Sequence, residues 1–129
     1  MAIGIGRWLL LDKSALVRDL GDLDESLGEP CICAITRLEV LYSATSAASY
    51  DRLEDELAAF HELRIDGETM QTATTAQREL ARRGEHRVPI PDLLIAACAQ
   101  QHNAAVLHVD RHYDVLSRVL SFDSVRAPA

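Results

Sequence analysis

The chain predicts an α/β fold, a mostly parallel central sheet of four to five strands with helices on both faces in three layers. Two observations carry this. Short apolar runs, WLLLD at 8–12, CICAI at 31–35 and AVLHV at 105–109, read as buried strands. Longer stretches of helical periodicity separate them, giving the order β-α-β-α-α-β-α-α-β-α-β. Helical crossovers between successive strands make those strands parallel. The 129 residues, 48% of them hydrophobic, suffice for one core. No linker, low-complexity tract or repeat divides them.

Each element follows in order. The strand 8–12 ends at Asp12, and Ser14 reads as the N-cap of a short helix carrying Leu16, Val17 and Leu20. Gly28 and Pro30 punctuate the turn into the strand 31–35. Thr36 opens a helix to about 45, with Leu38, Leu41 and Tyr42 at helical spacing. Leu53, Leu57 and Phe60 mark a helix over about 48–61, and ELRID at 62–66 suggests a short edge strand. The long helix 68–83 closes on Arg82-Arg83-Gly84, with Gly84 a good C′ residue. A loop at 85–91 holds Pro89 and Pro91. The helix 92–102, DLLIAACAQQH, is apolar on most sides and so is expected to be buried. A strand at 105–109, a helix at 111–119 and a short strand at 121–126 complete the domain, 8–126. Residues 1–7 read as a flexible or appended extension.

Cys31, Cys33 and Cys98 are an odd set without a secretory signal, which indicates reduced core thiols and a cytoplasmic protein. The apolar start is far too short to span a bilayer. The net charge of −7 argues against a protein that coats nucleic acid through a broad basic surface. It does not exclude an enzyme acting on RNA.

Asp12, Glu39, Asp92 and Asp110 stand where strand-like runs give way to helix starts. In a parallel sheet every strand delivers its carboxyl end to one edge, so all four can meet in one crevice. Such a cluster repels itself unless protons or a cation intervene. Mg²⁺ or Mn²⁺ suits carboxylate oxygen and water. Neutralising Asp12 or Asp92 is then expected to leave the ion-free protein as stable or more so. The bland alternative is capping. Thr36-Arg-Leu-Glu39 fits a capping box, and Asp92 and Asp110 are acceptable N-caps worth roughly 1 kcal/mol each.

Asp12-Lys-Ser14, Thr36-x-x-Glu39, Asp92-Leu-Leu-Ile-Ala-Ala and Leu107-His-Val-Asp110-Arg-His-Tyr-Asp114 resemble, in order, the four signature regions of PIN-domain ribonucleases. The size and the last two blocks resemble the VapC toxins of toxin–antitoxin pairs. The resemblance spans about 8–126. It implies that Asp12, Glu39, Asp92 and Asp110 bind the metal and carry catalysis, with Ser14 and Thr36 as supporting hydroxyls. It implies a Mg²⁺-dependent endoribonuclease (Mn²⁺ able to substitute) acting on structured RNA such as tRNA or rRNA. It also implies a homodimer and a VapB-like antitoxin that blocks the cleft, with Leu38, Leu41 and Leu57 able to receive it.

Two departures stand out. Lys13 occupies a place where Thr or Ser is common, and His112 one where many members carry another Asp. His112 and Asp114 are therefore further candidates beside the site. Arg82, Arg83 and Arg87, with His86, form a basic run before Asp92 that either grips RNA phosphates or answers the helix dipole. His108 reads as packed on its strand, His61 and His102 as helix-end residues, and Trp8 and Tyr42 as core. Two rivals remain, a catalytically silent PIN-like binding module and a Mg²⁺-binding receiver-type signalling domain. The receiver is disfavoured because Lys13 is the only lysine and no late strand ends in one.

Overall fold

A computed structural model describes residues 7–16 and 25–128 of the chain. The expected extension, except Arg7, and the helical positions of Val17 and Leu20 lie outside the described residues. The elements are β1 (Trp8–Leu11), α1 (Lys13–Leu16), a 3₁₀ turn (Glu25–Leu27), β2 (Glu29–Cys33), α2 (Ala34–Tyr42) and α3 (Ala47–Leu57). They continue as β3 (His61–Leu63), α4 (Gly67–Arg82), α5 (Ile90–His102), β4 (Ala105–His108), α6 (His112–Leu116) and β5 (Asp123–Arg126). The five strands lie in the order β3-β2-β1-β4-β5, all parallel. The chain winds outward from β1 to β3, then returns to start β4 on the other side of β1. A crevice opens where the winding reverses, beyond the carboxyl ends of β1 and β4.

Alternation along the strands divides the core. Leu9, Leu11, Ile32 and Leu107 face Ala15, Leu41 and Leu57 of α1 to α3. Leu10, Cys31, Cys33 and Val106 face Leu80, Ile95, Cys98 and Leu116 of α4 to α6. All three cysteines are buried free thiols, as the sequence suggested. Fully burying each aliphatic side chain contributes about 1.5–3 kcal/mol, so the two layers hold the sheet edge that carries the acids.

Several boundaries move, each for a local reason. α2 starts at Ala34 rather than Thr36, because Cys33 is its N-cap in an extended conformation (φ −126°). The Thr36 hydroxyl instead donates to the Leu11 carbonyl at 2.9 Å. The expected capping box with Glu39 is therefore absent, and Glu39 lies one turn inside the helix. α5 starts at Ile90, with Pro89 as N-cap and Pro91 in the first turn, where a missing N–H costs nothing. Asp92 is thus a first-turn residue and not the cap. Phe60 lies in the turn after α3, and β3 is shorter and earlier than expected because Asp66 leaves it to cap α4. Gly84, at φ +71°, terminates α4 as the sequence indicated. Gly28, at φ +130°, packs so closely that a Cβ would meet the Arg7 carbonyl at 2.9 Å. That carbonyl accepts from Glu29 N–H at 2.8 Å, and the Arg7 guanidinium pairs with Asp123 at 2.8 Å, which ties Arg7 to the sheet.

Tyr42 is not core: it is 92% exposed. His61 belongs to β3 rather than to a helix end, and its ring stacks on Trp8 at 4.4 Å. Trp8 is half-buried against the core.

Candidate active site

Asp12 follows β1 and extends its ladder, its N–H donating to the Leu107 carbonyl of β4 at 3.0 Å. Its carboxylate is held from both sides. Oδ2 accepts from the Ser14 N–H at 2.9 Å and the Ser14 hydroxyl at 2.5 Å, and Oδ1 accepts from the Tyr113 hydroxyl at 2.6 Å. Asp12, not Ser14, therefore caps α1. Ser14 Oγ also accepts from Val109 N–H at 3.1 Å, joining the ends of β1 and β4. Ser14 and Thr36 brace the crevice, Thr36 from full burial beneath Leu11.

Asp110 follows β4, and its Oδ1 accepts from His112 N–H at 3.0 Å. Asp92 reaches the same crevice from the first turn of α5 and is only 7% exposed. His112 Nδ1 lies 2.7 Å from Asp110 Oδ1 and 3.1 Å from Asp92 Oδ2. Among the described residues, Asp92, Asp110 and His112 each bring one donor atom within 4.8 Å of the others. Asp12 joins Asp92 through Tyr113, whose hydroxyl is 3.4 Å from Asp92 Oδ1. Glu39 approaches from α2, with Oε1 buried and unpartnered.

Burial pushes the Asp92 carboxyl up to about 6, and Asp12, Asp110 and Glu39 add to this while His112 opposes it. Tyr113 and His112 tie Asp12, Asp92 and Asp110 together through hydrogen bonds and ion pairs, whereas Glu39 reaches them only through its charge. Burial also raises Glu39, with Lys13 opposing and Asp12 adding. Burial, then Asp12 and Asp92, push the Tyr113 phenol far up, so it stays a donor. Such a set, carboxylate oxygens with one imidazole and an orphaned buried oxygen, fits a divalent cation.

Sequence reasoning missed Tyr113, which is wholly buried, and read His108 only as packed. The D-x-x-Y spacing from Asp110 was the available signal, since residues three apart share a helix face. His108 is packed, as expected, and also bonded. Its Nδ1 accepts from Asp110 N–H at 3.1 Å, so Nε2 carries the hydrogen toward Ser124 Oγ at 2.6 Å. Burial lowers its pKa, in keeping with a neutral ring. Asp114 turns away, toward Arg126 at 3.6 Å and the Ser124 hydroxyl at 3.4 Å on β5, and stands outside the donor group.

Arg82, Arg83 and Arg87 are exposed at the end of α4 and in the loop that leads into α5, and Arg82 also pairs with Glu79 at 3.6 Å. Leu57 is a core residue and lines no groove; Leu41 is 3% exposed and reaches only the floor of one, while Leu38 is 56% exposed. Leu38 and Tyr42 stand exposed on α2, and a hollow of about 430 Å³ is lined by Leu41, Ala44, Ala47 and Tyr50 together with the polar Thr45, Ser46 and Asp51.

Residues 7–119 match the PIN domain family. Ribonuclease VapC17 of Mycobacterium tuberculosis is 44% identical over 110 residues, 81% of this chain and 83% of that protein. Ribonuclease VapC2 of the same organism is 40% identical over 121 residues, 86% of this chain and 85% of that protein. In fold, the chain is similar to one in the crystal structure of VapBC-5, from the VapBC family of toxin–antitoxin systems of M. tuberculosis. That match has a TM-score of 0.74 at 24% identity and covers 93% of this chain and 98% of that one. An all-parallel sheet with acids gathered at its winding reversal, a family match over most of its length and relatives above 30% identity agree: the chain belongs to the PIN-domain family and, within it, to the VapC ribonucleases.

Proposed function

We propose that this protein is a Mg²⁺-dependent endoribonuclease, with Mn²⁺ able to substitute, and the toxin of a VapBC-type pair. The observation that supports the reading is the linkage of Asp12, Asp92 and Asp110 through Tyr113 and His112, with Glu39 on α2 keeping a buried oxygen without a partner. These four would hold the ion. A bound Mg²⁺ supplies an activated water at neutral pH and polarises a phosphoryl oxygen. The chain's own residues set the stage for that chemistry. Ser14 and Tyr113 fix both oxygens of Asp12, and His108 fixes the backbone of Asp110. Arg82, Arg83 and Arg87 would bind phosphates of a structured RNA such as tRNA or rRNA.

The partner is a VapB-like antitoxin acting in the cytoplasm. No helix among the described residues is long and apolar enough to cross a membrane. An acidic site, with Leu38 and Tyr42 exposed on the same helix as Glu39, suits a segment with apolar anchors and a basic side chain. The toxin itself would be a homodimer. Expressed alone, the wild-type chain should arrest growth and cleave RNA in Mg²⁺ or Mn²⁺, while Asp110→Asn should do neither. Co-expression of the adjacent small open reading frame should restore growth and yield a stable complex. Harmless overexpression with no cleavage in either ion would leave a catalytically silent binding module.

A further inference from the structure

The four acids leave one donor of the crevice without a role. His112 places Nδ1, not a carboxylate oxygen, between Asp92 Oδ2 at 3.1 Å and Asp110 Oδ1 at 2.7 Å. The position is set by the backbone, because the His112 N–H donates to Asp110 Oδ1 at 3.0 Å and locks the pair into a tight turn. Asp92, Asp110 and His112 are also the described residues whose donor atoms fall within 4.8 Å of one another. The tightest donor set in the crevice is therefore two carboxylates and an imidazole. An imidazole recruited only to pair with acids would contribute little at one-third exposure.

We propose that His112 Nδ1 is a direct ligand of the cation, which makes the centre a mixed nitrogen–oxygen site that takes Mn²⁺ or Co²⁺ in preference to Mg²⁺. This rests on the metal-nuclease reading for a divalent cation, adds a nitrogen donor to its four acids, and makes Mn²⁺ rather than Mg²⁺ the more tightly held ion. The chemistry follows from ligand type. Mg²⁺ favours oxygen donors and retains its waters, whereas imidazole nitrogen binds the later divalent metals more strongly.

The test uses the full chain stripped of metal. Calorimetric titrations with MnCl₂ and MgCl₂ give the two affinities, and pulsed electron paramagnetic resonance on the Mn²⁺ form reads nitrogen hyperfine coupling. Wild type should favour Mn²⁺ by about tenfold or more and show the coupling. His112→Ala should lose the coupling and bind Mn²⁺ about 10–100-fold more weakly, with a much smaller change for Mg²⁺. His112→Asp should regain Mg²⁺ and lose the preference. Circular dichroism checks that the variants fold, and the wild-type spectrum decides the matter without them. Bound Mn²⁺ without nitrogen coupling, an unchanged Mn²⁺-to-Mg²⁺ ratio in His112→Ala, or no Mn²⁺ binding would overturn the assignment. Nitrogen coupling in a protein that cleaves no RNA in Mg²⁺, Mn²⁺ or Co²⁺ would sink the nuclease reading and leave the ligand in place.

Discussion

Replacing Asp92 by Asn should stabilise the metal-free protein at neutral pH. Asp92 is 7% exposed, and burial together with Asp12, Asp110 and Glu39 raises its carboxyl from 3.8 to about 6. The folded state therefore holds the proton more tightly than the unfolded chain. Between about pH 4 and pH 6 the folded form binds more protons, so stability falls as pH rises and the loss is complete above about 6. The shift corresponds to an upper limit of about 3 kcal/mol. Water at the site screens these charges, so about 1–2 kcal/mol is the expected contribution. Asn keeps the shape and removes the charge. At pH 7.5 in a chelator its Tm should exceed wild type by about 3–8 °C, and its stability should fall less than that of the wild type from pH 4 to 7, the remaining slope coming from Glu39. Urea denaturation across that range is the assay. A wild type whose stability does not fall between pH 4 and 6, or an Asn variant no more stable at pH 7.5, would refute the electrostatic account of the crevice.

Asp12→Asn should behave in the opposite way, contrary to the simple repulsion argument. Both Asp12 oxygens already accept hydrogen bonds, from Ser14 and Tyr113, and an amide NH₂ must turn toward one of those donors. A loss of about 1–3 kcal/mol is expected in the same denaturation series. Tyr113→Phe keeps the buried ring but leaves Asp12 Oδ1 without its hydroxyl, and should cost a similar amount while reducing RNA cleavage. Glu39→Gln should abolish cleavage and growth arrest with no loss of ion-free stability, since Oε1 has no partner to lose; retained cleavage would remove Glu39 from the site. Arg82, Arg83 and Arg87 changed together to Ala should weaken RNA binding and flatten its salt dependence by roughly one unit of slope per lost contact. An unchanged slope would return them to helix-end electrostatics.

The parallel sheet, and the delivery of Asp12 and Asp110 to one of its edges, were legible because they depend on pattern. WLLL and AVLH are too short and apolar for anything but buried strands, and parallel winding sends Asp12 and Asp110 to one edge. Helix starts were less legible. Thr36 matches a cap in type and spacing, yet the β1 backbone offers its hydroxyl an acceptor 25 residues away in the chain, and that tertiary bond wins. Pro91 discouraged an early start to α5, although the first helical turn tolerates proline. Tyr42 and Leu41 are neighbours on one apolar helix, and only the packing of α3 decides that Leu41 is 3% exposed and Tyr42 92%. Asp114 shares the spacing of a ligand, but β5 supplies Arg126 and Ser124 on its other side.

Tyr113 and His108 explain how this chain tolerates the acids it gathers. Their rings lie 4.7 Å apart, both wholly buried, directly behind the crevice. Each offers the acids a neutral partner: a phenol hydrogen to Asp12, an imidazole lone pair to the Asp110 N–H. A buried cation in either place would quench the negative field and remove the attraction for a divalent ion. Neutral dipoles fix the carboxylates in position and leave their charge available. The repulsion that remains is carried by Asp92 and Glu39, the two acids whose carboxyls burial raises. A bound cation relieves that repulsion, and so would an antitoxin's basic side chain. Both should therefore raise the stability of the wild type more than that of Asp92→Asn, by linkage to the same charges.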